Sequence, residues 1–319
     1  FTQKRLTSTT WSIAAALVAM QGAGATLADP RARPMAGALW QWGRNRVAFE
    51  SGAGPRKLIV LGGLTDGLLP CRWVPALADA AAEAGWSTVQ PVLSSAYAGY
   101  GTGTLQRDAD ELSELVEHMV AERGCEAVAV VGHSTGCQIA CSFARFGSAA
   151  AISRIAALVL QAPVSDQESG GMRDETAAWV ARARAAPTPS TTLMPLDAHY
   201  VPITCERFLS LYATDGGQPD DLFSSYLTDA QLRDKLGHLE ALRVLVAFSM
   251  ADEYVPAHVD KRALVARLAR AMGSGAVELC LDGADHSLQL PADGSAANAF
   301  VRAAAELLRG AQPRGAAAR

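Results

Sequence analysis

The sequence predicts an α/β protein, in which a doubly wound, mostly parallel sheet is covered by helices on both faces. Short apolar runs rich in β-branched residues alternate with longer amphipathic segments, which is the pattern of repeated βαβ units. The chain has 319 residues, of which 50% are hydrophobic and 19% are charged, so it can bury a sizeable core. We therefore expect one large domain, assigned to residues 38–319.

Each element is placed by its own pattern. Short continuous apolar runs predict buried strands, and apolar residues at helical spacing, bounded by an N-cap or a glycine, predict helices. Thr104, for example, is the expected N-cap of a helix that Gly124 ends. In chain order, strands are predicted at residues 58–61, 87–92, 127–131, 156–160, 244–248 and 276–281, and helices at residues 73–84, 105–119, 136–146 and 296–308.

One connection is far longer than the others. About 80 residues separate the strand that ends near Val164 from the strand that starts near Arg243, whereas connections in α/β units typically have about two to six. This stretch contains proline, glycine and residues of mixed polarity. We interpret residues 165–242 as an inserted lid.

Residues 1–37 are predicted to form an N-terminal extension. Lys4 and Arg5 precede the apolar residues 11–20, and Ala23-Gly24-Ala25 provides a cleavage site of the signal-peptide type. The lack of acidic residues before Asp29 also suits an organellar transit peptide, and a disordered extension or a surface helix explains the same residues. Unless this segment is a functional targeting peptide, we expect a cytoplasmic protein. No other stretch is apolar for long enough to span a membrane.

Charge and cysteine content argue against several classes of function. The net charge is −4 and no long run of Lys or Arg occurs, so nucleic acid is not an expected partner. The six cysteines form no CxxC pair and no Cys/His cluster with zinc spacing, which predicts free thiols and no metal site. The glycine-rich residues 62–67 lack the Gly-Lys-Ser/Thr ending of a P-loop. The sequence does not predict an oligomeric state.

Residues 132–136, Gly-His-Ser-Thr-Gly, match the G-x-S-x-G nucleophile elbow. With 28 glycines in the chain the pentapeptide alone is weak evidence, but an apolar strand runs directly into it and an apolar helix follows. That order of strand, sharp turn and helix presents a serine hydroxyl at the carboxyl end of the sheet. Ser134 is therefore the predicted nucleophile of an α/β-hydrolase fold, and a structural glycine-rich turn is the alternative.

A serine hydroxyl needs a general base, and the base needs an acid that orients it. In this fold the three residues follow in the order Ser, Asp or Glu, His. His286 lies in a loop directly after the last predicted strand and is the expected base among six histidines. Asp252 follows the strand at residues 244–248 and is the expected acid, with Glu253 and Asp166 as alternatives.

Acyl transfer also requires backbone N–H groups that face the developing oxyanion. Thr135, directly after the nucleophile, is expected to supply one of them. The second is expected from Leu64, in the glycine-rich loop after the first long strand, where small residues let the backbone approach a substrate. Gly63 and Thr65 are the alternatives.

Five ordered motifs lie between about Leu58 and His286. They are GGLTDGLL at 62–69, LSSxYxG at 93–99, GHSTGCQ at 132–138, APVSD at 162–166 and DEYVP at 252–256. Together they resemble the DUF1749 family of α/β hydrolases, which includes fungal esterases that open hydroxamate siderophores. The resemblance implies a serine esterase without a metal or organic cofactor, and it matches Ser134, Asp252 and His286 to the triad positions.

The expected substrate is accordingly the carboxylic ester of a small molecule, with siderophore-type esters among the candidates. Two other functions use the same scaffold. A ligand-binding receptor closes its lid on a small molecule without needing turnover. An acyltransferase passes the acyl group to an alcohol instead of water.

Overall fold

A computed structural model describes residues 33–171 and 173–312. Residues 1–32, which carry the predicted targeting features, lie outside the described residues. Among the described helices, none is both long and apolar enough to cross a bilayer. All six cysteines are free thiols, as predicted, and five of them are buried.

The core of the fold is one eight-stranded sheet with the order β1-β2-β4-β3-β5-β6-β7-β8. Strand β2 is antiparallel to both of its neighbours, and every other pair from β4 to β8 is parallel, so the predicted doubly wound, mostly parallel sheet is confirmed. The strands are β1 Ala38–Trp42, β2 Arg46–Ser51, β3 Arg56–Leu61, β4 Trp86–Pro91, β5 Ala127–His133, β6 Ile155–Gln161, β7 Arg243–Ser249 and β8 Ala276–Leu281.

Helices cover both faces of this sheet. Alternate strand residues point to opposite sides, so that Ile59 joins the apolar cluster under α2, α3 and α8, whereas Leu58 joins the cluster under α1 and α9. Thr104 caps α2 as predicted, by accepting a hydrogen bond from the Arg107 backbone N–H. The helices are α1 Val74–Glu83, α2 Leu105–Glu122, α3 Thr135–Phe146, α4 Ala149–Ile152, α5 Asp174–Arg184, α6 Cys205–Tyr212, α7 Asp229–Leu236, α8 Lys261–Met272 and α9 Ser295–Arg309.

The β1–β2 hairpin was not predicted from the sequence. Its strands are short and only partly buried, so they lack the continuous apolar run that marks the central strands. Two ion pairs join Glu50 of β2 to the rest of the fold. Lys57 Nζ lies 2.6 Å from Glu50 Oε1 in a buried pair, and the partly exposed Arg123 Nη2 lies 2.6 Å from Glu50 Oε2. Burial alone would raise the pKa of Glu50, but hydrogen bonds from Lys57, Arg123 and Ser87 hold that pKa below its usual range.

The long connection between β6 and β7 folds into helices of its own. It contains a π-helical turn at Gln167–Gly171, the helices α5, α6 and α7, and a 3-10 turn at Gly237–Leu239. A small apolar cluster, separate from the two clusters at the sheet, joins α5 and α6 to Tyr100 in the 3-10 helix Tyr97–Thr102. The connection is therefore packed against the segment that follows β4.

Candidate active site

The serine of the G-x-S-x-G motif lies in a strained turn between β5 and α3. Ser134 has φ 53° and ψ −125°, a conformation that residues other than glycine rarely adopt. Its neighbours His133 and Thr135 are buried, whereas Ser134 itself is partly exposed. The turn thus presents one partly exposed side chain at the carboxyl end of β5 and the amino end of α3.

Glycines let the surrounding backbone approach this turn. A Cβ on Gly136 would lie 2.6 Å from the Leu61 carbonyl oxygen, and a Cβ on Gly132 would meet the backbone of Gly136. A Cβ on Gly63 would lie 2.8 Å from Ser134 Cβ, so the loop after β3 passes directly beside the serine. The two glycines of the motif therefore allow close packing of strand and helix.

The predicted base and acid come together at the ends of β7 and β8. His286 Nδ1 donates a hydrogen bond of 2.8 Å to Asp252 Oδ2, and both side chains are buried. Glu253 has a different contact, because its Oε2 accepts a hydrogen bond of 2.9 Å from the His286 backbone N–H. Asp166, the third candidate acid, has a pKa raised to about 6 by burial and by the Asp220 charge, and the charges of Arg207 and then His286 partly offset this rise.

Ser134 lies at the same end of the sheet, directly after β5. Within residues 33–171 and 173–312, no hydrogen bond joins Ser134 Oγ to the His286 ring. The ring of the adjacent His133 lies 4.9 Å from the His286 ring, measured between centroids. Tyr254 also packs edge-on against His286, with its ring centroid 4.6 Å away.

Gln161 connects the serine turn to the histidine loop, and sequence reasoning missed it. Its backbone oxygen accepts a hydrogen bond from the Ser134 N–H at 3.0 Å, and its Nε2 donates to the His286 backbone oxygen at 3.0 Å. Its Oε1 accepts from His133 Nδ1 at 2.6 Å. The signal in the sequence is a single amide at the end of the apolar run at residues 156–160.

The loop after β3 distinguishes the candidate oxyanion donors. The Gly63 N–H donates a hydrogen bond of 2.8 Å to Asp66 Oδ2, so it is already engaged. Thr65 is exposed and has φ 73°. In the described structure, the backbone N–H groups of Leu64 and Thr135 donate to no protein acceptor. These two remain available to a bound group.

Three of the other histidines contact residues that do not belong to the predicted triad. His118 stacks on Trp40, and His258 is largely exposed near Glu168. His199 is buried against Tyr100, with its Nε2 2.7 Å from the Tyr100 hydroxyl.

Burial lowers the pKa of both His133 and His199. It brings the pKa of His133 to about 3, with a further decrease from the His286 charge, and that of His199 to about 4. Both rings are therefore neutral at pH 7.

This chain is similar to known proteins in both sequence and structure. The Fusarinine C esterase sidJ of Aspergillus fumigatus is 31% identical, over 67% of this chain and 75% of that protein. The solved structure of the siderophore hydrolase EstB from the same organism superposes with a TM-score of 0.70 at 27% identity, over 86% of this chain and 97% of that one. An α/β-hydrolase fold protein of unknown function superposes with a TM-score of 0.64 at 19% identity, over 87% of this chain and 96% of that one.

These superpositions confirm the predicted α/β-hydrolase fold. The sequence profile described as "Protein of unknown function (DUF1749)" matches residues 30–309, which is most of the chain. The chain therefore belongs to the DUF1749 family.

Proposed function

We propose that this chain is a serine esterase that forms an acyl-enzyme on Ser134. The observation that carries the proposal is a serine on a strained, partly exposed turn at the sheet end where Asp252 and His286 form a buried hydrogen-bonded pair. Ester hydrolysis is also the activity in the name of the relative sidJ, which is 31% identical. A carboxylic ester hydrolase is therefore the enzyme class, and the triad is the proposed mechanism.

The reaction follows from the proton positions. Because the Nδ1–H group of His286 donates a hydrogen bond to Asp252, the Nε2 atom carries the lone pair and acts as the base. Ser134 Oγ attacks the acyl carbon as its proton passes to Nε2, and Nε2 then returns that proton to the departing alcohol. A water molecule repeats the sequence and releases the acid. Contacts between nucleophile and base are commonly long in a ligand-free enzyme and shorten when substrate binds.

The oxyanion of each tetrahedral intermediate is proposed to lie between the backbone N–H groups of Leu64 and Thr135. Both N–H groups lack a protein acceptor among the described residues, and Thr135 begins α3, where the helix dipole also favours negative charge. The Gly63 N–H is committed to Asp66, which argues against Gly63 in this role. A single donor of this kind is typically worth about 10²–10³ in rate.

The insertion at residues 165–242 is proposed to act as a lid that shapes the substrate pocket. Asp166 at its start is close enough to His286 for the His286 charge to affect its pKa. Tyr200 in the same insertion lies with its ring centroid 6.5 Å from that of Tyr100. Relatives named for a siderophore and for fusarinine C suggest siderophore-type esters among the small soluble esters to be tested.

A fluorophosphonate probe tests the nucleophile directly. We expect wild type and the exposed-site control Ser153→Ala to be labelled, and Ser134→Ala to remain unlabelled and inactive. Equal labelling of Ser134→Ala and wild type would remove Ser134 from the mechanism. Hydrolysis of short-chain esters, lipid esters and hydroxamate esters by the same three proteins then defines the substrate class, and a preference for lipid aggregates would contradict the proposed small soluble ester.

A further inference from the structure

Two hydrogen bonds between Gly63 and Asp66 close the loop after β3. The Gly63 N–H donates to Asp66 Oδ2 at 2.8 Å, and the Asp66 N–H donates to the Gly63 backbone oxygen at 3.1 Å. Both backbone polar groups of Gly63 are therefore bound to a single residue. A rotation of the backbone at Gly63 would have to break one or both of these bonds.

The second of these bonds sets the direction of the Leu64 N–H group. The Gly63 carbonyl and the Leu64 N–H belong to one planar trans peptide unit, so the two groups point in opposite directions. The Leu64 N–H keeps its direction for as long as the Asp66 N–H holds the Gly63 carbonyl. Gly63 has no Cβ to hinder a rotation of this peptide, so the restraint comes from Asp66.

Asp66 reaches the backbone directly beside the proposed nucleophile. A Cβ on Gly63 would lie 3.3 Å from Ser134 Oγ and 3.4 Å from Asp66 Oδ2, so the hydroxyl and the carboxylate both contact the same backbone position. Burial raises the pKa of Asp66, and the charge of His286 acts in the opposite direction. Among the described residues, the Asp66 carboxylate has no hydrogen bond to Ser134, Asp252 or His286.

The loop after β4 supports Asp66 from outside. The Tyr97 N–H donates to the Asp66 backbone oxygen at 3.0 Å, and a Cβ on Gly67 would overlap the Tyr97 ring. At the start of the same loop, the Ser94 N–H donates at 2.9 Å to Oε2 of Glu111, a buried carboxylate of α2. The motifs at residues 62–69 and 93–99 are thus joined through Asp66.

We propose that Asp66 is a positioning residue that holds the Gly63–Leu64 peptide with its N–H turned towards the oxyanion. This role rests on the esterase mechanism above, which makes the Leu64 N–H a donor. A peptide that rotated would present the Gly63 carbonyl oxygen, which repels an oxyanion, in place of that donor. Asp66 acts only through the peptide, so its effect belongs to the transition state, where the negative charge develops, and not to the binding of the neutral ester.

The test compares Asp66→Ala and Asp66→Asn in steady-state hydrolysis of p-nitrophenyl butyrate. Asp66→Ala removes the acceptor of the Gly63 N–H. We expect kcat/KM to fall about 10- to 100-fold through kcat, which is part of the loss caused by removing an oxyanion donor outright. Asp66→Asn keeps an acceptor oxygen at the same place, so it should stay within about 5-fold of wild type.

Butylboronic acid measures the oxyanion site without turnover. It adds to Ser134 Oγ and forms a tetrahedral adduct whose oxygen takes the place of the oxyanion, so it is bound like the transition state. For Asp66→Ala we expect its inhibition constant to rise by the factor by which kcat/KM falls. A residue that only stabilises the fold would leave this constant unchanged in the folded protein.

Two more variants guard against a trivial loss of structure. Asp66→Leu keeps the branched shape of the side chain and removes the acceptor, so it should behave like Asp66→Ala if the alanine variant does not fold. Asp110→Ala removes an exposed carboxylate from α2 and should keep the wild-type kcat, KM and inhibition constant. Thermal unfolding of each protein shows which variants are folded.

The outcomes separate the role of Asp66 from the esterase mechanism. A parallel change of kcat/KM and the inhibition constant in Asp66→Ala or Asp66→Leu, with Asp66→Asn close to wild type, supports the positioning role. That role is wrong if the folded variants keep wild-type values, if only KM changes, or if Asp66→Asn loses as much activity as Asp66→Ala. The esterase mechanism itself fails if wild type hydrolyses no ester and the fluorophosphonate does not label Ser134.

Discussion

Replacing Asp252 with asparagine tests how the imidazole of His286 is oriented. The Asp252 side chain is fully buried and its Oδ2 accepts the His286 Nδ1 proton at 2.8 Å. An asparagine keeps the shape but can donate its own N–H to Nδ1. The proton of the neutral ring then moves to Nε2, and that atom can no longer accept the proton of Ser134.

The size of the effect follows from this loss of function of the base. The equivalent change in a serine protease lowers kcat about 10⁴-fold, so we expect a loss of about 10³- to 10⁴-fold here, or about 4–5.5 kcal/mol of transition-state stabilisation. The assay is steady-state hydrolysis of a p-nitrophenyl ester, with thermal unfolding measured alongside to show that the variant is folded.

Glu253→Gln is the matched control. Glu253 accepts a hydrogen bond from the His286 backbone rather than from the ring, and a glutamine oxygen can accept the same bond. We expect a loss of less than about 10-fold, since a neutral acceptor replaces a charged one. Asp166→Asn should also retain most activity. The reasoning is refuted if a folded Glu253→Gln or Asp166→Asn loses more activity than a folded Asp252→Asn.

Three stability predictions follow from the packing around the site, each measured as a free energy of unfolding in denaturant. Gly136→Ala should cost about 1–3 kcal/mol, because its Cβ would lie 2.6 Å from a backbone oxygen, and an equal stability to wild type would contradict the packing of α3. Phe300→Ala should cost about 3–5 kcal/mol, since the ring is fully buried and packs with its centroid 4.9 Å from Trp73; a loss below about 1 kcal/mol would contradict this burial. Glu50 has a lower pKa in the folded protein than its ordinary value of 4.5, so its ionised form stabilises the fold above that pH, and this stabilisation is lost as the pH falls through the folded pKa. Glu50→Gln should therefore be less stable at pH 7 but should lose less stability below pH 4.5, and parallel pH profiles for the two proteins would argue against the buried ion pair.

The central strands and the serine turn could be predicted because local signals agree with the tertiary structure. The strand at residues 276–281 has its predicted bounds, and the apolar run at 127–131 continues by two residues into the turn. The expected chain order of the triad is Ser, then Asp or Glu, then His. Together with the positions of the predicted strands, this order limited the candidate bases to His286 and the candidate acids to three carboxylates near strand ends. Asp252 contacts the ring of His286, whereas the neighbouring Glu253 contacts its backbone N–H, and no sequence pattern predicts that difference.

Features that depend on contacts distant in the chain were not predictable. Glu50 pairs with Arg123 across 73 positions, and Gln161 bonds to the His286 backbone across 125. In the sequence, Asp108 is an acidic residue in the first turn of an amphipathic helix. Only the fold shows that it lines a cavity together with Thr135. The helices of the insertion carry few buried residues on α5 and α7, so their periodicity is weak.

The burial of His133 also limits how much positive charge accumulates beside His286. With its pKa at about 3, His133 stays uncharged when His286 becomes an imidazolium ion. Two imidazolium rings 4.9 Å apart would repel each other by about 3 kcal/mol at an effective dielectric constant of about 20. That repulsion would oppose protonation of His286 about a hundred-fold. The two neighbouring rings therefore carry at most one positive charge, which lies on His286, and mildly acidic solution does not add a second proton on His133.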